Sequence, residues 1–178
     1  GLLVAGFDTP GVLMMAHNAP YYPRLVEGAG FVGVMDLLAY ERSSANFPDR
    51  LKEGTDLLKR RYKIHIRQLD MKRFDEEVER VKEIYNLAWE KHWGFVPMTD
   101  AEIAFLAKQL KPVVVPEMVG FAEKGGQLVG FVVALPDLNV ALRKNPSGRM
   151  FPGILKVLWA SRKIDRSRVV LLGIRPEW

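Results

Sequence analysis

The side chains able to move a proton or hold a metal are few and scattered. Glu123 sits in a stretch that reads as a β-hairpin, and Asp137 follows it. Either carboxylate could serve as a general base, although most hairpin acids are simply solvated. The three histidines, His17, His65 and His92, show no metal-ligand spacing, and there is no cysteine, so no metal is assigned. His65 alternates with apolar residues and is expected on the polar face of a strand. His92 lies beside Trp93 near a helix end, where the helix dipole favours a cation. Trp89, Trp93, Phe95 and Met98 gather around that helix end and the loop after it, a pattern that a helix end packed on a core also produces.

The rest of the composition is that of a folded chain. Of 178 residues, 48% are hydrophobic and 26% charged, which is enough apolar material for a core. The formal net charge of +5 suits an anionic ligand such as a nucleotide cofactor, and is also common in proteins that bind nothing anionic. No apolar run reaches the length of a membrane span, and no secretory leader is read. The absence of cysteine fits a cytoplasmic setting. The chain opens on Gly1, Leu2, Leu3 and Val4 and stops at Trp178 after an apolar run, so both ends read as cuts through structured regions.

The elements that must position these residues follow from periodicity. Residues 12–15 read as a short buried strand. Residues 20–29 read as a helix with prolines in its first turn and glycines at its end. Residues 31–41 alternate as a strand. Residues 42–49 are a polar linker, followed by a short basic helix over 49–60. Tyr62, Ile64 and Ile66 alternate with Lys63, His65 and Arg67, predicting a half-buried strand with the isoleucines inward. Helical spacing predicts an amphipathic helix over 73–91. Thr99 and Glu102 form a capping box for a helix that Pro112 stops. Residues 118–123 and 127–135 flank Lys124, Gly125 and Gly126 as a hairpin. Residues 137–144 and 151–163 read as helices, and 168–174 as a strand suited to the middle of a sheet. The second helix carries Ile154, Leu155, Leu158 and Trp159 on one side, with Lys156, Arg162 and Lys163 elsewhere. It reads as a helix packed on the sheet, or else as a membrane-surface or partner-binding helix.

This order of elements resembles the first half of a GNAT acyltransferase. Residues 62–69 are similar to the opening strand, and 74–89 and 100–110 to the two helices after it. "GFAEKGGQLVGFVVALPD" (120–137) is similar to the second and third strands, and "RVVLLGIRPEW" (168–178) to the fourth. "HNAPYYPRLVEGAGF" (17–31) is similar to the strand–helix–strand that ends the same fold. The resemblance implies the tail of one GNAT-like domain over 1–41, a linker and short helix over 42–61, and the head of a second over 62–178. The fold class is α/β (α+β): a mixed, largely antiparallel GNAT-like sheet flanked by helices, incomplete or permuted.

The resemblance also implies the chemistry. Such enzymes hold acyl-CoA so that an amine attacks the thioester, with acyl-CoA the co-substrate and no metal. Leu172, Gly173 and Ile174 match the strand whose backbone pairs with the pantetheine arm, although they also read as core. Asn18 matches an asparagine that contacts that arm, or caps the helix after it. The usual acid is a tyrosine at the position of Val26. Tyr22, one turn earlier with Tyr21 beside it, is the nearest candidate, and Glu123 is the candidate base. The Gly/Arg-rich turn that cradles the pyrophosphate in the family is absent from the 178 residues, so the chain alone is expected not to catalyse. The acceptor is expected to be a small-molecule or peptide amine. Sheet edges left open suggest a homodimer. The alternative is a non-catalytic GNAT-like ligand-binding or interaction module. A basic nucleic-acid-binding protein ranks last, because aromatics are not interleaved with the basic residues.

Overall fold

A computed structural model describes residues 1–43, 45 and 48–178. They form two compact units, one of Gly1–Phe47 with Asp137–Lys163 and one of Pro48–Pro136 with Ile164–Trp178. Part of the expected linker, Ser44, Asn46 and Phe47, lies outside the described residues.

The second unit is built on a four-stranded sheet in the order β1-β2-β3-β4. The strands are β1 (His65–Gln68), β2 (Val119–Lys124), β3 (Gln127–Pro136) and β4 (Ser167–Ile174). Each neighbouring pair is antiparallel, so the parallel component expected of a mixed sheet is not present among the described residues. The β2–β3 turn passes through Gly125 at φ +57° and Gly126 at φ +82°. Two successive positive φ values give the turn whose twist matches that of the strands it joins.

Three helices belong to this unit: α2 (Asp49–Tyr62), α3 (Phe74–Trp89) and α4 (Asp100–Leu110). Helix α3 buries Phe74, Glu77 and Ile84. Helix α4 begins with the expected capping box: Thr99 N–H donates to Glu102 Oε2 at 2.8 Å, and Glu102 N–H donates to Thr99 Oγ1 at 3.3 Å. The core closes on Phe121, Ile84 and Leu135, each at most 1% exposed. Along β3, Phe131, Val133 and Leu135 are buried while Val132, Ala134 and Pro136 are only half-buried, the period of two that a sheet face imposes.

The first unit contains α1 (Tyr22–Gly28), α5 (Asn139–Leu142) and α6 (Gly153–Ser161). Pro23 stands in the first turn of α1, and Gly30 at φ +91° turns the chain away after it. Asp137, 2% exposed, ties the unit together: its Oδ1 accepts from Leu13 N–H at 3.0 Å and from Asn139 N–H at 3.2 Å. Asn139 Nδ2 donates to the Gly11 carbonyl at 3.0 Å.

Four expectations are corrected. Residues 12–15 form a turn, with Met15 N–H donating to the Val12 carbonyl at 3.1 Å and Met14 at φ 58°, a conformation that ends a strand. Residues 31–41 form neither helix nor strand, and Val32, Leu37 and Tyr40 are 79, 82 and 87% exposed. A strand is defined by a neighbour that takes its backbone bonds, and alternation alone supplies none. The permuted sheet is not formed either, since among the described residues no strand from 1–41 enters the sheet. Finally, β4 stands at the edge of that sheet, not in its middle. Among the described residues no helix is long and apolar enough to cross a membrane.

Candidate functional site

The β4 strand forms one edge of the sheet. Its register against β3 shifts between Val133, opposite Leu171, and Ala134, opposite Val169. Val170 is therefore an extra residue, a β-bulge that re-aims the strand beyond it. Before the bulge Val169 is exposed; after it the exposed residues are Leu172 and Ile174. Arg175 N–H donates to the Val129 carbonyl at 2.9 Å, so by alternation Gly173 also turns its N–H and C=O toward β3. Leu172 and Ile174 then point theirs away from the sheet, along an edge that pairs with nothing else among the described residues.

Both ends of this stretch are held. The Trp89 indole Nε1 donates to the outward carbonyl of Leu172 at 3.0 Å. Arg175 donates through Nε to the Leu128 carbonyl at 2.8 Å and forms an ion pair with Glu83. Between them, Gly173 is fixed by space. A β-carbon there would lie 2.6 Å from Phe131 Cε1 and 3.4 Å from Ala88 Cβ. No other residue type fits between the Phe131 ring and α3 without moving one of them. The three residues expected to meet the pantetheine arm are thus contiguous, with Leu172 and Ile174 presenting backbone and Gly173 facing inward.

Beside Leu172 lies an aromatic group on the end of α3. Tyr85 stacks on Trp89 with ring centroids 6.1 Å apart and meets Phe95 at 5.7 Å, and Trp89 meets His92 at 4.9 Å. Asn86 pins the loop to the helix, donating to the Met98 carbonyl at 3.3 Å and accepting from Met98 N–H at 3.2 Å. Trp93 stands outside this group, 64% exposed. Between α3, α4 and the sheet runs an apolar cleft lined by Phe74, Val78, Tyr85, Ile103, Leu106 and Phe121 among others.

Glu123 lies on the helix-covered side of the sheet. Its Oε1 accepts from Arg67 Nε at 2.7 Å. The same guanidinium makes a two-pronged pair with Glu77 at 2.8 and 2.9 Å and stacks 4.6 Å over the Phe121 ring. The hydrogen bond to Glu77 is the main cause that raises the Arg67 pKa above its ordinary value; partial burial works against it and the bond to Glu123 adds to it. Arg67 is therefore a fixed cation at every working pH. Its position reverses the expected faces of β1. Arg67 pairs with Phe121 in the ladder and shares its inward face, whereas Ile66 is 48% exposed. Charge compensation by Glu77, 2% exposed, makes this arrangement tenable. A glutamate inside an amphipathic helix facing an arginine on a strand was the available signal, but the isoleucine alternation outweighed it.

The remaining candidates sit in the first unit. Asn18 Oδ1 accepts from Leu3 N–H at 2.7 Å, and its Nδ2 donates to the carbonyls of Leu3 and Ala19 at 3.2 and 3.1 Å. It therefore bridges backbone rather than capping α1, whose N-cap is Tyr21. Tyr22 is 42% exposed and stacks on Tyr21 at 5.0 Å. Asp137, engaged by two backbone N–H groups, is a structural acid. Among the described residues no group of His, Asp or Glu could hold a metal ion.

No family model matches the chain. Over its full length it is 38% identical to Protein YghO of Escherichia coli (strain K12), covering 46% of that protein. It is 37% identical to a bacterial ceramide synthase of Caulobacter vibrioides (strain NA1000 / CB15N), covering 47% of that one. The chain thus spans about half the length of the curated relatives it matches. Among solved structures it is similar to an agmatine N-acetyltransferase mutant in its apo form, at 17% identity and a TM-score of 0.35, over 65% of this chain and 61% of that one. A likeness at that level carries no argument about function.

Proposed function

We propose that this chain is part of a GNAT-type N-acyltransferase, the tail of one domain followed by the head of the next, which joins an acyl group from acyl-CoA to an amine. The observation that supports it most is β4: a bulged edge strand, clamped by Trp89 and Arg175, that turns the backbone of Leu172 and Ile174 outward. The pantetheine arm of CoA is an extended chain with two amides. Outward N–H and C=O groups at alternate residues are the partners such a chain needs. The 37% identity of this chain to about half of a bacterial ceramide synthase adds a second support. A ceramide is the amide of a long-chain amine, so its synthesis is an N-acyl transfer.

In this reading the amine nitrogen adds to the thioester carbonyl carbon, the C–S bond breaks, the amine proton passes to a base and the thiolate takes a proton. Most of the acceleration comes from holding the two reactants together. Leu172, Gly173 and Ile174 are the residues proposed to seat acyl-CoA in the head domain, with Glu123 its candidate base; Asn18 and Tyr22 are proposed as the pantetheine contact and the proton donor of the domain to which the tail belongs. The bond from Arg67 to Glu123 favours a structural role for that carboxylate, and Glu123→Gln separates the two roles. A base predicts a fall in kcat and loss of the acid limb of the pH profile. A structural partner predicts a lower melting midpoint with the profile unchanged.

Calorimetric titration of the full-length protein with acetyl-CoA and palmitoyl-CoA, followed by mass spectrometry after addition of a long-chain amine, tests the proposal. Saturable heat and an N-acyl product are expected. No heat with either thioester at millimolar concentration rules it out.

A further inference from the structure

The chain's positive charge is concentrated in one segment. Residues 138–163 hold six Lys and Arg and no Asp or Glu, leaving 20 basic against 21 acidic residues in the remainder. This segment comprises α5, α6 and the loop between them, all within the first unit. It also carries a dense set of exposed large apolar side chains. Met150 is 81% exposed and Phe151 74%, Leu155 and Leu158 are 56% and Trp159 62%. On α6 the spacing of Leu155, Leu158 and Trp159 sets these side chains along one side of the helix, and Phe151 stands in the turn just before it. The loop that presents Met150 and Phe151 is a built structure: Asn145 Nδ2 donates to the Arg149 carbonyl at 2.9 Å, and Gly153 packs against the Asn145 amide, where a β-carbon would lie 2.2 Å away.

We propose that this surface docks on a bilayer containing anionic lipid. The apolar stripe would enter the acyl–headgroup boundary, and the lysines would remain at headgroup level, the arrangement of an interfacial amphipathic helix. The groove lined by Val140, Lys144, Leu155, Lys156, Trp159 and Lys163 combines an apolar floor with three ammonium groups. Lys163 Nζ already sits 4.2 Å from the centre of the Trp159 ring. Charge decides the occupant. A second copy would bring six like charges against six. A nucleic acid would satisfy the charge but leave Met150, Leu155 and Leu158 without an apolar partner. An anionic bilayer satisfies both. This surface stands on its own residues, whether or not the protein transfers acyl groups.

The test is co-sedimentation of the full-length protein with vesicles of phosphatidylglycerol and phosphatidylcholine, and with phosphatidylcholine alone. Binding to the mixed vesicles is expected, with a blue shift of tryptophan emission that Trp159→Phe removes. Lys144→Glu, Lys156→Glu and Lys163→Glu together should weaken binding by about tenfold or more, given the contribution of each basic residue near an anionic surface. Leu155→Ala with Leu158→Ala should weaken it comparably, with the far-UV spectrum unchanged. The proposal is overturned by failure to bind the mixed vesicles or by equal binding of the charge variants. A concentration-dependent dimer or an RNA complex that uses these residues, without vesicle binding, also overturns it.

Discussion

Gly173 is the residue on which the candidate edge turns. Its missing side chain lets the Phe131 ring lie across β4, and a methyl group there would sit 2.6 Å from Phe131 Cε1. Gly173→Ala is expected to cost about 1–3 kcal/mol through overpacking, measured by urea unfolding. Phe131→Leu should restore part of the loss when combined with it. Glu102 supplies a second residue-scale prediction. Its carboxylate is held below the ordinary range by hydrogen bonds from Thr99, the backbone N–H first and then the hydroxyl. A depressed pKa contributes stability that is present above the unfolded value, about 4.3, and is lost as pH falls through the lower folded value. Melting midpoints of wild type and Glu102→Gln should therefore differ at pH 7 and converge in acid. A gap that persists unchanged below pH 3 or so would contradict this account. The capping box was legible from residue types alone, because all its bonds lie within one helical turn. The reason for Gly173 was not, because the ring that excludes a side chain comes from the neighbouring strand.

Between elements, the bond that matters most is the one α3 makes to β1 through Glu77 and Arg67. Glu77 is 2% exposed and takes both ends of the guanidinium. Glu77→Ala leaves a half-buried cation with one carboxylate in place of two. It should destabilise by about 3 kcal/mol, near the low end for a broken buried pair because Glu123 remains. Thr99→Ala, by contrast, removes one exposed cap and should cost about 1 kcal/mol. Denaturant midpoints of the two variants, compared side by side, check the ranking. The helices and the β2–β3 hairpin were readable because their bonds are local and their periodicity repeats over many residues. The faces of β1 were not. A four-residue strand shows too few alternations to outweigh a ladder that pairs Arg67 with Phe121.

At the scale of the molecule, an acyl-CoA that binds only the folded state must raise its stability by mass action. The gain is about 2.7 kcal/mol at a ligand concentration 100-fold above Kd. Thermal unfolding with and without palmitoyl-CoA should show that rise, and Gly173→Ala should reduce it. No shift at saturating thioester would speak against acyl-CoA binding by this protein.

The amino-acid sequence by itself determined the order of elements from residue 49 onward, the capping box, the glycine turn of the hairpin and the run that becomes β4. It also carried the resemblance from which an acyl transfer is proposed. Each of these depends on neighbours in the chain. Only the tertiary structure decided that residues 31–41 pair with no strand among those described, that β4 is an edge with a bulge at Val170, and that Asp137 and Asn18 spend their polar atoms on backbone. It also decided that Leu155, Leu158 and Trp159 of α6 are exposed. The strand opposite the bulge, and the Leu3 and Leu13 backbone that Asn18 and Asp137 hold, lie far away in sequence, and local pattern carries no record of them.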